Sequence, residues 1–234
     1  METLSATLRQ KHAAGNRSDG IDAALGELAA RKVPEIDGYL LSPVSSLPSK
    51  IADLLQLGTR RSIDLAESAI REMNLEQVNH VEREPVLPIA FSLFHFVQIE
   101  DGSATMLGAG PILYEEGWAE RIGLTIADHG KHKTVEEMVH QRIGDYDGFK
   151  AYMTAVFDKT ESWLAGLDPS TLTDVVVTHP YPPNIATTYS ARVGGERGIT
   201  RMDATECWIY QHGLRHMGEI ELARGLVGLG GLTS

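Results

Sequence analysis

Two histidines four residues apart, His212 and His216 in "WIYQHGLRHMGEIELARGL", are the residues of this chain best spaced for chemistry. On an α-helix a four-residue step turns only about 40° around the axis, so both imidazoles leave one face about one turn apart. Two ring nitrogens placed in this way converge on a single small cation, and imidazole suits zinc, nickel, copper or iron. A third ligand has to come from elsewhere, and His95 in "PIAFSLFHFVQIED" is the candidate. Three histidines and one open position make a catalytic-type site, not a closed structural one. A plainer reading stands beside this one. His95 sits among Phe91, Phe94, Phe96, Val97 and Ile99, where a core histidine bonded to a neighbour also fits, and an H-x-x-x-H pair occurs on many surface helices.

Glu219 lies three residues beyond His216, on the same helical face. It is a fourth ligand, a carboxylate that orients an imidazole N–H, or a solvated helix glutamate. Glu100 and Asp101 point off the face of His95 and read as helix-end or surface carboxylates. His129, His132 and His140 fall in loop or short-helix sequence and read as solvated, whereas His80 and His179 sit in loops near the helix ends, where a cleft would form. Cys207 precedes His212 by five residues, roughly 140° away on a regular helix, and reads as a small core residue. No Gly-rich phosphate loop is present, because "VGLGG" closes a helix instead of opening one. No nucleophile elbow supports a Ser-His-Asp reading.

The elements that must carry these residues are helical. After Pro48, apolar residues from Ile51 to Ile70 recur at helical spacing, which predicts a helix to about residue 73. Pro88 suits the first turn of a second helix, apolar on most faces and so deeply buried. A loop-rich stretch from Gly102 to Asp145 holds a short helix opened by a capping box at Thr134. A third long helix is expected over 146–166, stopped by Asp168 and Pro169. The connection "THPYPPNIATTYSARVGGERGITRMD" looks too rich in Pro and Gly to be regular, and the fourth helix runs from about Asp203 to the terminal glycines. "TDVVVTH" is the one strand-like run, and one run makes no sheet. The expected fold is an all-α four-helix bundle. The connections after helices 2 and 3 are roughly 40 and 35 residues, long enough to cross the bundle.

The 234 residues suffice for one sizeable core, with residues 1–47 as a partly helical N-terminal extension and 48–234 as the bundle. A net charge of −11 repels phosphate backbones, so no nucleic-acid partner is expected. No apolar run approaches about 18 residues, so no membrane span is expected, and the start has no apolar signal core. A single cysteine rules out a disulfide within the chain, fits a cytoplasmic location, and leaves any metal to histidine and carboxylate.

Three segments together resemble the DinB-like (DinB/YfiT) family of metal-dependent enzymes. "LPIAFSLFHFVQIED" is similar to the family's second helix, with its ligand histidine at His95. "EEGWAERIGLTIADHGKHKTVEEM" is similar to a Gly-Trp-containing connection found in part of the family. "HGLRHMGEIELARGL" resembles its terminal H-x-x-x-H-x-G-Q helix, with ligands at His212 and His216. The resemblance spans about residues 48–230. It implies an up-down-down-up four-helix bundle, often a homodimer, with a divalent metal at one end. Glu219 stands where the family usually has Gln, adding a negative charge near the metal.

Some relatives use a low-molecular-weight thiol as cosubstrate, in S-transfer or isomerisation of a small molecule, and many have no known reaction. The leading expectation is therefore a metal-dependent enzyme, with His95, His212 and His216 holding Zn²⁺ or Ni²⁺. The open position takes a thiol, whose pKa the metal lowers, or water, giving a hydrolase. Glu219 or His80 is the candidate proton relay. The alternatives are a non-catalytic metal-binding or stress-associated helical protein, and a histidine triad with no metal at all.

Overall fold

A computed structural model describes residues 47–83, 85–114, 117–130 and 133–232. Contacts divide the chain between Leu47 and Pro48, and the short helix expected in the N-terminal extension lies outside the described residues. The described residues are mostly helical, built on α1 (Leu47–Arg71), α2 (Ile89–Met106), α3 (Tyr146–Ala165) and α4 (201–226). No helix among the described residues is long and apolar enough to cross a membrane.

Each long helix follows from its sequence, with instructive shifts. The buried face of α1 runs through Leu55, Thr59, Ser62, Ile63, Ala66, Ala69 and Ile70, a 3–4 spacing. Leu54 and Leu57 are exposed, so the buried stripe is more polar and smaller in side chain than the count of leucines suggests. Pro88 is the cap that precedes α2, its ψ of 157° still extended, and not a first-turn residue. From Ile89 to Phe94 every α2 residue is buried, as its apolar sequence requires. Asp145 caps α3 by accepting from the Gly148 N–H at 2.9 Å.

Helix α2 packs against both α3 and the last stretch of α4. One core takes Ile63 and Ile70 from α1, Leu93, Phe94 and Phe96 from α2, Tyr152, Val156 and Phe157 from α3, and Met217 and Ile220 from α4. Polar ties bring α1 to its neighbours. The Tyr146 hydroxyl donates to the Ile70 carbonyl at 3.0 Å. Arg60 pairs with Glu161. Arg224, 1% exposed, donates to the Ala69 carbonyl at 2.6 Å, to Glu72 at 2.7 Å and to the Gly230 carbonyl.

The connections hold more order than their composition suggests. The capping box at Thr134 opens the short helix Val135–Met138 as expected, and Trp118–Ile122 forms another. The Pro/Gly-rich third connection carries Pro183–Ala186 and Tyr189–Gly194. The strand-like run does find a partner: β1 (Val175–Val177) pairs antiparallel with β2 (Ile199–Thr200), in the register Val177 with Ile199. A second apolar cluster of Leu107, Ile199, Ala204 and Ile209 seats this strand pair against α4.

Glu100 and Asp101 are buried, against the reading of both as surface carboxylates. Asp101 is compensated by Lys159 at 2.5 Å, the Tyr152 hydroxyl and two backbone N–H groups, a full set of donors for a carboxylate. Burial pushes the Glu100 carboxyl up to about 8, so it is held as the neutral acid.

Candidate metal centre

The site is built where α2 meets the C-terminal part of α4. Helix α4 is not uniform: Thr205–Tyr210 forms a wide π-turn between Arg201–Ala204 and the regular stretch Gln211–Leu226. His212 and His216 lie wholly in the regular stretch, so the four-residue spacing keeps its meaning. The 140° separation of Cys207 from His212 assumes a regular helix and does not hold across the wide turn. Cys207 is buried, as expected, and is not among the groups that converge.

Gly213, beside His212, lets α4 come close to its neighbours. A Cβ at that position would meet the Phe96 ring and the Ser62 hydroxyl oxygen at 3.1 Å each. The same approach brings His95 of α2 to the pair on α4. Ring centroids stand 5.4 Å apart for His95 and His212, 5.0 Å for His95 and His216, and 4.5 Å for His212 and His216. One nitrogen from each of the three rings lies within 4.8 Å of the others, and all three residues are half-buried.

The bonding around each ring fixes which nitrogen is available. His95 Nδ1–H donates to the His129 carbonyl at 2.6 Å, leaving Nε2 as the lone-pair nitrogen. His216 Nδ1–H donates to Glu219 Oε2 at 2.8 Å, again leaving Nε2. That Nε2 faces His212 Nε2 at 3.2 Å. Two nitrogens on one tetrahedral zinc are roughly 3.3 Å apart, given Zn–N bonds near 2.0–2.1 Å. The pair therefore has the separation of two ligands of one ion, and without an ion it makes an N–H···N bond.

Electrostatics agree with ligation by neutral imidazole. Burial, first of all, lowers the His95 pKa to about 4, opposed by its bond to the carbonyl and aided by His216. Phe91 stacks on His95 with centroids 5.5 Å apart, and Phe96 stacks on His216 at 6.3 Å. Glu219 is held below its usual range, chiefly by its bond to His216, and also accepts from the Ser92 hydroxyl at 3.1 Å. It is the carboxylate that orients an imidazole N–H, the second of the roles its spacing allows. The donor set fits a borderline divalent ion: three half-buried imidazoles, two of them with their far N–H groups anchored.

The structure brings His95, His212 and His216 together and sets Glu219 behind His216. His80 does not join them. It bonds to Glu82 at 3.1 Å and lines a small cleft with Val86, Ile89, Ala223 and Leu226. His140 is exposed, as expected, while His132 lies outside the described residues. Two contributors escaped the sequence reading: Ser92, which looks like one more residue of a buried helix, and His129, expected to be solvated but half-buried, with its carbonyl bonded to His95 and its ring edge-on to it at 6.2 Å. The Asp-x-Gly run at 128–130 signals a turn, but nothing in it tells where a carbonyl of that turn will point.

No family model matches the chain, and no curated protein matches it. The fold is similar to that of a conserved protein of Enterococcus faecalis known from a crystal structure. The TM-score is 0.60, over 75% of this chain and 95% of that one, at 18% identity. A likeness at that level of identity speaks for the fold alone.

Proposed function

We propose that this chain is a divalent-metal-binding protein of the DinB-like kind, an up-down-down-up four-helix bundle whose ligands are His95, His212 and His216. The observation that carries the reading is the convergence of these three imidazoles from two helices, with ring nitrogens inside one ligand-to-ligand span. Zinc and nickel are the ions that suit the donor set best. The half-buried setting, with three protein ligands among the described residues, supports an enzyme over a structural site. We propose a low-molecular-weight-thiol S-transferase or isomerase acting on a small molecule, with a hydrolase as the second reading of the same open position.

A bound Zn²⁺ or Ni²⁺ supplies Lewis acidity, lowering the pKa of a thiol or water. The chain's own residues do the rest. Burial keeps His95 neutral and able to ligate. Glu219 holds His216 by its Nδ1–H and sits on the exposed side, where it is placed to take a proton. Phe91 and Phe96, both buried, stack on two of the rings and limit their rotation.

Metal analysis of protein purified without a histidine tag tests the ligand set. About one ion per chain is expected in the native protein, and His212→Ala should lose it. Unchanged metal content in that variant removes the assignment. A screen of small thiols with electrophilic acceptors then separates enzyme from carrier, since a carrier consumes no thiol. The resemblance also carries homodimerisation into this proposal, which light scattering tests directly.

A further inference from the structure

His95 is the only member of the trio on α2, and its ring orientation depends on a segment far away in sequence. The carbonyl that accepts its Nδ1–H belongs to His129. That residue sits in a turn built to hold one shape. Asp128 Oδ1 accepts the Gly130 N–H at 2.7 Å, and the Gly130 carbonyl accepts the Lys133 N–H at 2.8 Å. Just upstream the buried Gln141 side chain bonds both the N–H and the carbonyl of Ile126, at 2.9 and 2.7 Å. Gly130 has φ +71°, a left-handed value that favours glycine. A Cβ there would also meet Phe91 Cε2 at 2.7 Å, and Phe91 is the ring stacked on His95. The turn thus touches both groups that set the His95 ring, its hydrogen-bond acceptor and its stacking partner.

We infer that the 128–130 turn is a positioning clasp: Asp128 and Gly130 aim the His129 carbonyl at His95 Nδ1 and fix the tautomer that leaves Nε2 for the cluster. Residues that orient ligand histidines through the far N–H change metal affinity by about 10- to 100-fold when lost. That consequence rests on the metal-binding proposal above, whereas the tautomer does not.

The test is read on two scales. Long-range ¹H–¹⁵N spectra of the metal-free protein report which His95 nitrogen carries the proton, and Zn²⁺ competition with a chromophoric chelator reports affinity. Wild type should show the Nδ1–H form, and so should His129→Ala, which keeps the carbonyl and removes only the ring that packs edge-on against His95 at 6.2 Å. Gly130→Ala should shift His95 toward the other tautomer or a mixture and weaken Zn²⁺ binding about tenfold or more. Asp128→Ala should move the same way with less distortion, and Asp128→Asn, which keeps an acceptor oxygen, should restore the native pattern. An Nε2–H tautomer in wild type overturns the clasp. So does an unchanged tautomer in both Gly130→Ala and Asp128→Ala, or loss of the Nδ1–H form in His129→Ala alone. Tautomers that behave as expected in a protein binding no Zn²⁺ uphold the clasp and discard the metal reading.

Discussion

Replacing Glu219 by Gln asks whether this carboxylate orients His216 or binds the ion itself. In the structure Glu219 Oε2 accepts from His216 Nδ1 at 2.8 Å and from Ser92 Oγ at 3.1 Å. Glutamine keeps an acceptor of the same reach and removes only the charge. A charge-assisted hydrogen bond is roughly twice as strong as a neutral one, and loss of such a partner costs about 10- to 100-fold in metal affinity. The Glu219 side chain is 56% exposed, so water screens its charge and the lower end of that range applies. The expected result is a Zn²⁺ affinity about tenfold weaker, or about 1.4 kcal/mol. Glu219→Ala, which removes the acceptor too, should approach the hundredfold end. Chelator competition measures both, and the visible spectrum of the Co²⁺-loaded protein should keep its intensity, because the number of ligands is unchanged. Equal or tighter binding by the glutamine variant refutes the orienting role. A loss beyond about a thousandfold with a changed Co²⁺ spectrum makes Glu219 a ligand and refutes it in the other direction.

Other consequences lie in the scaffold and its pH response. Arg224→Met strips a 1%-exposed guanidinium of its bonds to Ala69, Glu72 and Gly230. Glu72 is 62% exposed and can rehydrate, so the loss should fall at the low end for a broken buried pair, about 3 kcal/mol or 6–12 °C in Tm, with Zn²⁺ affinity intact. A Tm change under about 2 °C would mean the clamp contributes nothing net. Glu100 has a folded-state pKa near 8 against 4.5 unfolded, so its effect on stability is most favourable below pH 4.5 and is lost as pH rises toward 8. Glu100→Gln should therefore gain on wild type as pH rises, by on the order of 3 kcal/mol at pH 8, and urea midpoints at pH 5 and pH 8 check this. His95 has the opposite sign. Its folded pKa of about 4 lies below 6.5, so wild type should lose stability as pH falls from 6.5 to 4, and His95→Gln should lose less over that interval.

What was legible in the sequence was whatever a single helix can state about itself. The face of α3 can be read from Tyr146, Phe149, Tyr152, Met153, Val156 and Phe157, because those residues recur at the period of the structure they form. The cap at Thr134 was legible because both partners of its box lie within four residues. What failed needed a second element. Thr59 and Ser62 sit on the buried face of α1, and no local rule distinguishes them from polar residues facing water. Glu100 and Asp101 look like surface groups until Lys159 and Tyr152, more than fifty residues on, are brought to Asp101. The two-residue strand Ile199–Thr200 is too short to announce itself without Val175 and Val177 beside it.

The histidine trio sits on the boundary between these cases, and the π-turn shows why it could be read at all. An extra residue in one turn rotates the stretch before it by about 100° relative to the stretch after it. A wide turn between His212 and His216 would have split the pair, but it ends at Tyr210, ahead of both. His212, His216 and Glu219 therefore keep the phase that their spacing implies. Residues upstream do not, which is why an angle counted from Cys207 carries no weight. The wide turn lets one rod serve two partners: upstream, Ile209 packs with Leu107 at the end of α2 and Ile199 of β2, while downstream Met217 and Ile220 enter the main core beside α2. A uniform helix would have to present both faces in one register. The local shift in phase frees the C-terminal stretch to aim its histidines at His95, whatever the upstream stretch must bury.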